Sequence, residues 1–129
     1  RRAARLVDSY VNISGRHAYP PPMPENGLAN VAASRFLRPY SNRLQSLDGL
    51  RLARIVNAMK YAARNGLVYH LWWHPHNFGV DLDRNIEFLR SVLSFYSEMK
   101  SEYGMKSMCM GDFLDSNVGF VRREHQDCL

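Results

Sequence analysis

One short run of branched and aromatic residues restricts the fold of this chain more than any other feature: LVYHLWWH, residues 67–74, between Gly66 and Pro75. A run of this length and composition predicts a buried β-strand. Segments with apolar residues at helical spacing lie on both sides of it, at 46–65 and 83–103. Residues 75–82, between the strand and the second of these segments, are predicted to be a loop. A strand between two amphipathic helices favours an α/β fold with a parallel sheet.

The two helical segments carry their own start and stop signals. We expect Ser46 and Asp83 to be N-caps, and Gly66 and Gly104 to end the helices. The predicted inner faces comprise Leu47, Leu50, Ile55, Met59 and Ala62 in the first helix, and Ile86, Leu89, Val92, Leu93, Tyr96 and Met99 in the second.

The segments before the first long helix are predicted to be short or irregular. Residues 1–13 have the spacing of a short amphipathic helix, and residues 31–40 that of a short strand or extended segment. Most of the prolines, including the run at 20–22, fall in residues 14–30. Proline lacks the amide donor that a sheet needs, so this stretch is predicted to be a loop. It is either a functional cover or a simple tether.

The C-terminal part is predicted to add little regular structure. Residues 106–110 have the composition of a last short strand, and residues 111–118 that of a turn of helix. We therefore expect one domain over residues 1–118, followed by a polar tail at residues 119–129.

Composition excludes several classes of protein. The apolar fraction of 46% excludes a disordered chain, and no apolar run approaches the ~18 residues of a membrane span. Two cysteines, Cys109 and Cys128, are too few for a disulfide scaffold, and two free thiols are expected. The net charge of +5 is spread along the chain, so a nucleic-acid partner is not expected.

The first residues are Arg1 and Arg2, without an initiator Met and without the pattern of a signal peptide. We expect the true N-terminus to be missing. The location of the protein is then open between the cytoplasm and the cell envelope.

Three histidines cluster around the end of the predicted strand: His70, His74 and His76. Alternation places His70, Trp72 and His74 on one face of the strand. Because ligands of parallel sheets bind beyond the carboxyl ends of the strands, His74, His76 and Asn77 lie where an active site is expected. Imidazole can exchange a proton near neutral pH, and it can also bind zinc.

Other interpretations of these histidines stay open. A histidine on an apolar strand is often a hydrogen-bonded core residue. The spacing of His70, His74 and His76 also allows a direct metal site, although no Cys pair or HExxH motif supports one. His17 and His125 are expected to be solvated.

The segment SRFLRPY, residues 34–40, carries two arginines. If the segment is extended, we expect Arg35 and Arg38 to point the same way and to anchor an anionic or hydroxyl-rich ligand. The alternative is that they pair with carboxylates such as Asp8 or Glu87.

The stretch AARNGLVYHLWWHPHNFG, residues 62–79, with SRFLRPYS upstream and NIEFL downstream, resembles the C-terminal part of bacterial polysaccharide deacetylases. These are the NodB-homology enzymes, or family-four carbohydrate esterases. The resemblance runs from about Val7 to about Met110. It implies a distorted (β/α) barrel, incomplete in this chain, that removes N-acetyl groups from amino sugars of a polysaccharide or its precursor.

The resemblance also implies roles for individual residues. A late family motif, a strand ending in Leu-x-His, supplies the general acid, and its best match here is Trp72-Trp73-His74. This match assigns the acid to His74 and a place beside the acetyl methyl group to Trp72. His70, His76, Asn77 and Arg38 are assigned to substrate binding.

The early motifs of the family are absent from these residues. They hold a divalent metal, usually zinc, through one aspartate and two histidines, and they add a second aspartate as general base. We therefore expect a longer protein whose N-terminal half supplies the metal and the base, so that this chain alone is inactive. A non-catalytic carbohydrate-binding module and a His-rich metal-binding module are the alternatives.

Overall fold

The computed structural model describes residues 2–114. Several predictions fall outside the described residues: those for residues 115–118, for the polar tail at 119–129, for Cys128 and for His125. The regular elements are α1 (Arg2–Asp8), β1 (Arg35–Phe36), α2 (Asp48–Asn65), β2 (Leu71–Trp72), α3 (Pro75–Phe78) and α4 (Leu82–Tyr103), with 3-10 turns at Asn42–Leu47 and Met110–Phe113. In this described part, no helix has the length and apolarity needed to span a membrane, as the composition predicts.

The two strands form a parallel pair in which Arg35 is opposite Leu71 and Phe36 is opposite Trp72. Helix α2 connects them, so β1, α2 and β2 make one β–α–β unit. The predicted strand at 67–74 is too long and too buried. Within it, Leu71 and Trp72 form the strand, and Val68 makes an isolated antiparallel bridge to Tyr19. Trp73 and His74 are exposed. Within the described residues, β1 is the one strand that pairs with β2. The barrel remains a prediction.

Helices α2 and α4 pack against each other and enclose most of the core. Both end where predicted, because Gly66 and Gly104 adopt the left-handed conformation at φ 62° and φ 69°. The buried core cluster comprises Leu37, Ile55, Met59, Phe78, Val92 and Met99.

The predicted inner faces are wrong at two positions, since Leu50 and Leu93 are 50% and 52% exposed. On α2 the buried stripe starts instead with Arg51 and Arg54. Each of the two leucines is adjacent in sequence to a buried residue, Arg51 or Val92, and a step of one residue turns a helix by about 100°.

Several predicted boundaries also change. Ser46 does not cap α2, because it lies inside the preceding 3-10 turn, and Asp81 rather than Asp83 precedes α4. Helix α1 ends at Asp8, whose carboxylate accepts the amides of Ile13 and Ser14 and turns the chain back.

Two other local predictions change as well. The loop expected after the histidine strand contains the short helix α3. The described structure has no strand at 106–110. The loop prediction for 14–30 is confirmed.

Candidate functional site

Aromatic rings meet at the carboxyl ends of the two parallel strands. The register that pairs Phe36 with Trp72 brings their ring centroids to 4.7 Å. The ring of His74, two residues further on, forms a T-shaped pair with the Trp72 ring at a centroid distance of 5.2 Å, and its centroid lies 6.0 Å from that of Phe36. The polar ring of His74 is thus exposed beside two half-buried apolar rings.

A second imidazole extends this cluster into the following loop. His74 is the extended residue that precedes α3, and Pro75 starts the helix, as proline favours. The helix turns His76 back over His74, with the rings stacked at 5.1 Å. We call Phe36, Trp72, His74 and His76 the aromatic–histidine site.

Trp73 anchors the same loop. Its ring stacks on Phe78 at 5.6 Å, and Phe78 is buried in the core while Trp73 is 36% exposed. The backbone amide of Asn77 donates to the backbone carbonyl oxygen of His74 at 3.0 Å. The loop that carries both imidazoles is therefore held by core packing as well as by its own short helix.

Buried polar side chains from the two long helices hold the loops around the site. The Asn85 side chain of α4 bonds to the backbone of Tyr40, in the loop after β1, and of Phe78, in the loop after β2. The Arg51 side chain of α2 donates to the carbonyl oxygens of Arg38 and Pro39. Arg51 also pairs with Asp48 at 3.1 Å and covers the ring of Phe88 at 3.7 Å. Burial lowers the pKa of Arg51 from its ordinary value, and the charge of Asp48 opposes this effect.

His70 does not join the other two histidines. Its Nδ1 lies 3.3 Å from the carbonyl oxygen of Val31, and its amide donates to the Ser34 hydroxyl. Among residues 2–114, no group of three or more His, Cys, Asp and Glu side chains is placed to hold a metal. The structure thus gives His70 the contacts of a hydrogen-bonded structural histidine.

The two arginines of the segment 34–40 do not act together. Arg35 pairs with Asp8 at 3.1 Å, which confirms the alternative prediction for this residue. Side chains alternate between the two faces of an extended segment, so residues three apart, such as Arg35 and Arg38, are not expected to share a face. A sugar-binding role for Arg38 stays a prediction.

Arg35 and Arg54 together surround Asp8, on the side of β1 away from the aromatic–histidine site. Partial burial acts to raise the pKa of Asp8, but hydrogen bonds from Ser14, Ile13 and Arg35 outweigh it and hold that pKa well below its ordinary value. Burial also raises the pKa of the Tyr69 hydroxyl, beside the same arginines, to about 12.

Of the residues predicted from the sequence, the structure brings together Trp72, His74 and His76, with Asn77 in the same loop. Sequence reasoning missed Phe36 and Asn85. Phe36 enters only through the register of the two strands. One feature of the sequence could have indicated Asn85. It is a polar residue near the start of a helix, at the beginning of NIEFL and on the side of the helix that carries apolar residues. His17, expected to be solvated, is half-buried and bonds to Ser14 and Tyr19.

No protein-family model, curated protein or solved structure matches this chain. What defines it is a parallel β–α–β unit with exposed histidines at the carboxyl ends of its strands.

Proposed function

We propose that this chain supplies the general acid of an enzyme that hydrolyses N-acetyl groups on amino sugars of a polysaccharide or its precursor. The observation that carries the proposal is the exposed imidazole of His74, held beside Trp72 and Phe36 at the carboxyl ends of two parallel strands. Sites of α/β proteins lie at this edge. The resemblance of residues 62–79 to the late part of polysaccharide deacetylases supports the same role.

His74 acts on the leaving group. Hydrolysis of an amide must release an amine, and the nitrogen needs a proton because an amide anion is a very poor leaving group. The protonated imidazole of His74 donates that proton to the sugar nitrogen. The rings of Trp72 and Phe36 offer an apolar surface to the acetyl methyl group. The side chains of His76, Asn77 and Arg38 bind sugar hydroxyls.

The enzymes that the chain resembles also use a divalent metal, usually zinc. The described residues do not fit such a site, because the two imidazoles of His74 and His76 are not accompanied by a third ligand within residues 2–114. We therefore assign no step through a metal to this chain, and we place the metal and the general base on another part of a longer protein.

A carbohydrate-binding module without catalysis is the second candidate. It is favoured by the exposure of the Trp73 ring, which stacks on Phe78 in the loop of the two histidines, since flat apolar rings pack against sugar rings. The direct metal-binding alternative receives no such support, because His70 lies apart from His74 and His76.

The test is acetate release from N-acetylated oligosaccharides by the intact protein that contains this chain. We expect His74→Ala to lower the rate by about 10²-fold or more, the usual contribution of a general acid. His17→Ala, in the loop at residues 14–30, is the matched control and should keep the rate. A full rate in His74→Ala would overturn the proposal. Oligosaccharide binding without acetate release by the wild type would favour the binding module.

A further inference from the structure

Asn85 in the first turn of α4 is a polar side chain that is only 2% exposed. Its Oδ1 accepts the amide of Tyr40 at 2.7 Å. Its Nδ2 donates to the carbonyl oxygens of Phe78 at 3.2 Å and Asp81 at 3.0 Å. The side-chain amide thus uses both its acceptor and its two donors inside the protein.

The partners of Asn85 belong to the two loops that build the site. Tyr40 lies four residues after Phe36, at the carboxyl end of β1, and Phe78 ends the helix that follows His74. One buried amide therefore ties the loop of each strand to the same point on α4. No other kind of side chain of this size both accepts and donates in this way, since Asp lacks the donors and Leu lacks both.

We propose that Asn85 is a positioning residue of the aromatic–histidine site, which fixes the loop of His74 and His76 relative to β1 and its Phe36. Its catalytic consequence rests on the proposed function. A buried polar group with all its hydrogen bonds made specifies one local arrangement, and leaving its partners unpaired is costly. Without Asn85, the loops lose their common attachment, and His74 moves relative to Trp72 and Phe36.

A general role in stability is the competing explanation, and it predicts a different result. Helices α2 and α4 also pack through apolar residues such as Ile55 and Val92, and this packing uses none of the hydrogen bonds of Asn85. A positioning role changes the site while this packing persists.

The experiment compares NMR spectra of the 129-residue chain and its variants. Asn85→Asp turns a donor group into an oxygen that faces two carbonyl oxygens, and Asn85→Ala removes all three bonds without adding charge. The control is Asn65→Asp, because Asn65 also donates to a helix carbonyl, that of Tyr61, but is exposed. We expect both Asn85 variants to lose the ring-current shift that the Trp72 ring, at a centroid distance of 5.2 Å, causes in the signals of the His74 imidazole. The methyl signals of Ile55 and Val92 should stay in place, as they should in the control.

Unchanged His74 and Trp72 signals in a folded Asn85→Ala protein would overturn the proposal. If the variants fail to fold, amide exchange in the wild type decides: the Tyr40 amide should be protected as strongly as core amides, and exchange at the rate of exposed loops would contradict the proposal.

An activity measurement separates this inference from the proposed function. In the intact protein we expect Asn85→Ala to lower kcat by about 10²-fold, the effect of a misplaced catalytic group, with a smaller change in KM. Absence of acetate release by the wild type would contradict the proposed function alone, because the NMR result does not depend on the reaction.

Discussion

Asp8 connects parts of the chain that are far apart in sequence. It accepts hydrogen bonds from Ile13 and Ser14 and pairs with Arg35 of β1 and Arg54 of α2. The two arginine side chains are only 8% and 4% exposed. Buried guanidinium groups need their counter-charge, so the pair of arginines makes Asp8 more important than its position in a short helix suggests.

We expect Asp8→Asn to lower the free energy of unfolding by about 3 kcal/mol at neutral pH, because it leaves two buried charges without their partner. Urea denaturation measures this. The control is Glu87→Gln, which breaks the exposed pair of Glu87 with Arg84 and should cost less than about 1 kcal/mol. Equal effects of the two substitutions would contradict the assignment.

The Asp8 carboxylate also makes the free energy of unfolding depend on pH in the acidic range. The pKa of Asp8 is lower in the folded state than in the unfolded state, so its contribution is fully present above the ordinary carboxyl pKa of about 3.9. It is lost as the pH falls below that value towards the lowered pKa. The difference in unfolding free energy between wild type and Asp8→Asn should therefore shrink from pH 7 to pH 3. A constant difference over this range would refute the explanation.

Tyr69 provides the corresponding prediction at alkaline pH. Its pKa rises from 10.0 to about 12 on folding, because burial disfavours the phenolate. The unfolded chain then ionises first, and wild-type stability should fall between pH 10 and about 12, by up to about 1.4 kcal/mol per pH unit. Tyr69→Phe should remove this part of the pH dependence, and Tyr96→Phe, at another core-packed tyrosine, should keep it. Denaturation at pH 9 and pH 11 distinguishes the two.

At the scale of elements, α2 shows how a buried face can differ from the apolar face of a sequence. Its buried stripe begins with Arg51 and Arg54 and continues through Ile55 and Met59. The arginines are accommodated because they bond to carbonyl oxygens and to Asp8 and Asp48. The sequence pattern alone places Leu50 on this face, and it is half-exposed.

Ile55 and Leu50, a buried and a half-exposed residue of α2, allow a direct comparison of the free energy of unfolding after substitution. Ile55→Ala should cost about 2–5 kcal/mol, since it leaves a cavity between α2 and α4 at a side chain that is 2% exposed. Leu50→Ala should change the unfolding free energy by less than about 0.5 kcal/mol, as expected of a surface site. Thermal or urea unfolding of both variants tests this packing. A larger cost at Leu50 would show that the buried face is assigned wrongly.

At the scale of the whole molecule, the described part contains a parallel sheet of only two strands. Parallel sheets are usually covered on both faces and flanked by further strands. Large apolar side chains are also exposed, among them Val80, Met23 and Leu28.

We expect the isolated chain to associate with itself, because the exposed apolar side chains of its described part can be buried against a second copy. Sedimentation velocity over a range of protein concentrations should show an average mass that rises with concentration. A monomer of 14.9 kDa at every concentration would contradict this expectation.

Features that depend on local backbone preferences could be predicted from the sequence. Gly66 and Gly104 ended the two long helices because glycine tolerates the left-handed conformation, and the prolines kept residues 14–30 out of regular structure. The position of His74 next to Trp72, at the end of a strand, also followed from the sequence.

Which groups are buried and which segments contact each other could not be predicted from the sequence, because both depend on the tertiary structure. The strand within 67–74 is shorter than predicted, and Arg51 and Arg54 lie in the core. Phe36 lies beside His74, and Asn85 bonds to the backbone of Tyr40 and Phe78. The physical reason is that burial and strand register depend on partners distant in the chain. A charged or amide side chain can be buried where those partners satisfy its hydrogen bonds, and its own sequence neighbourhood does not contain them.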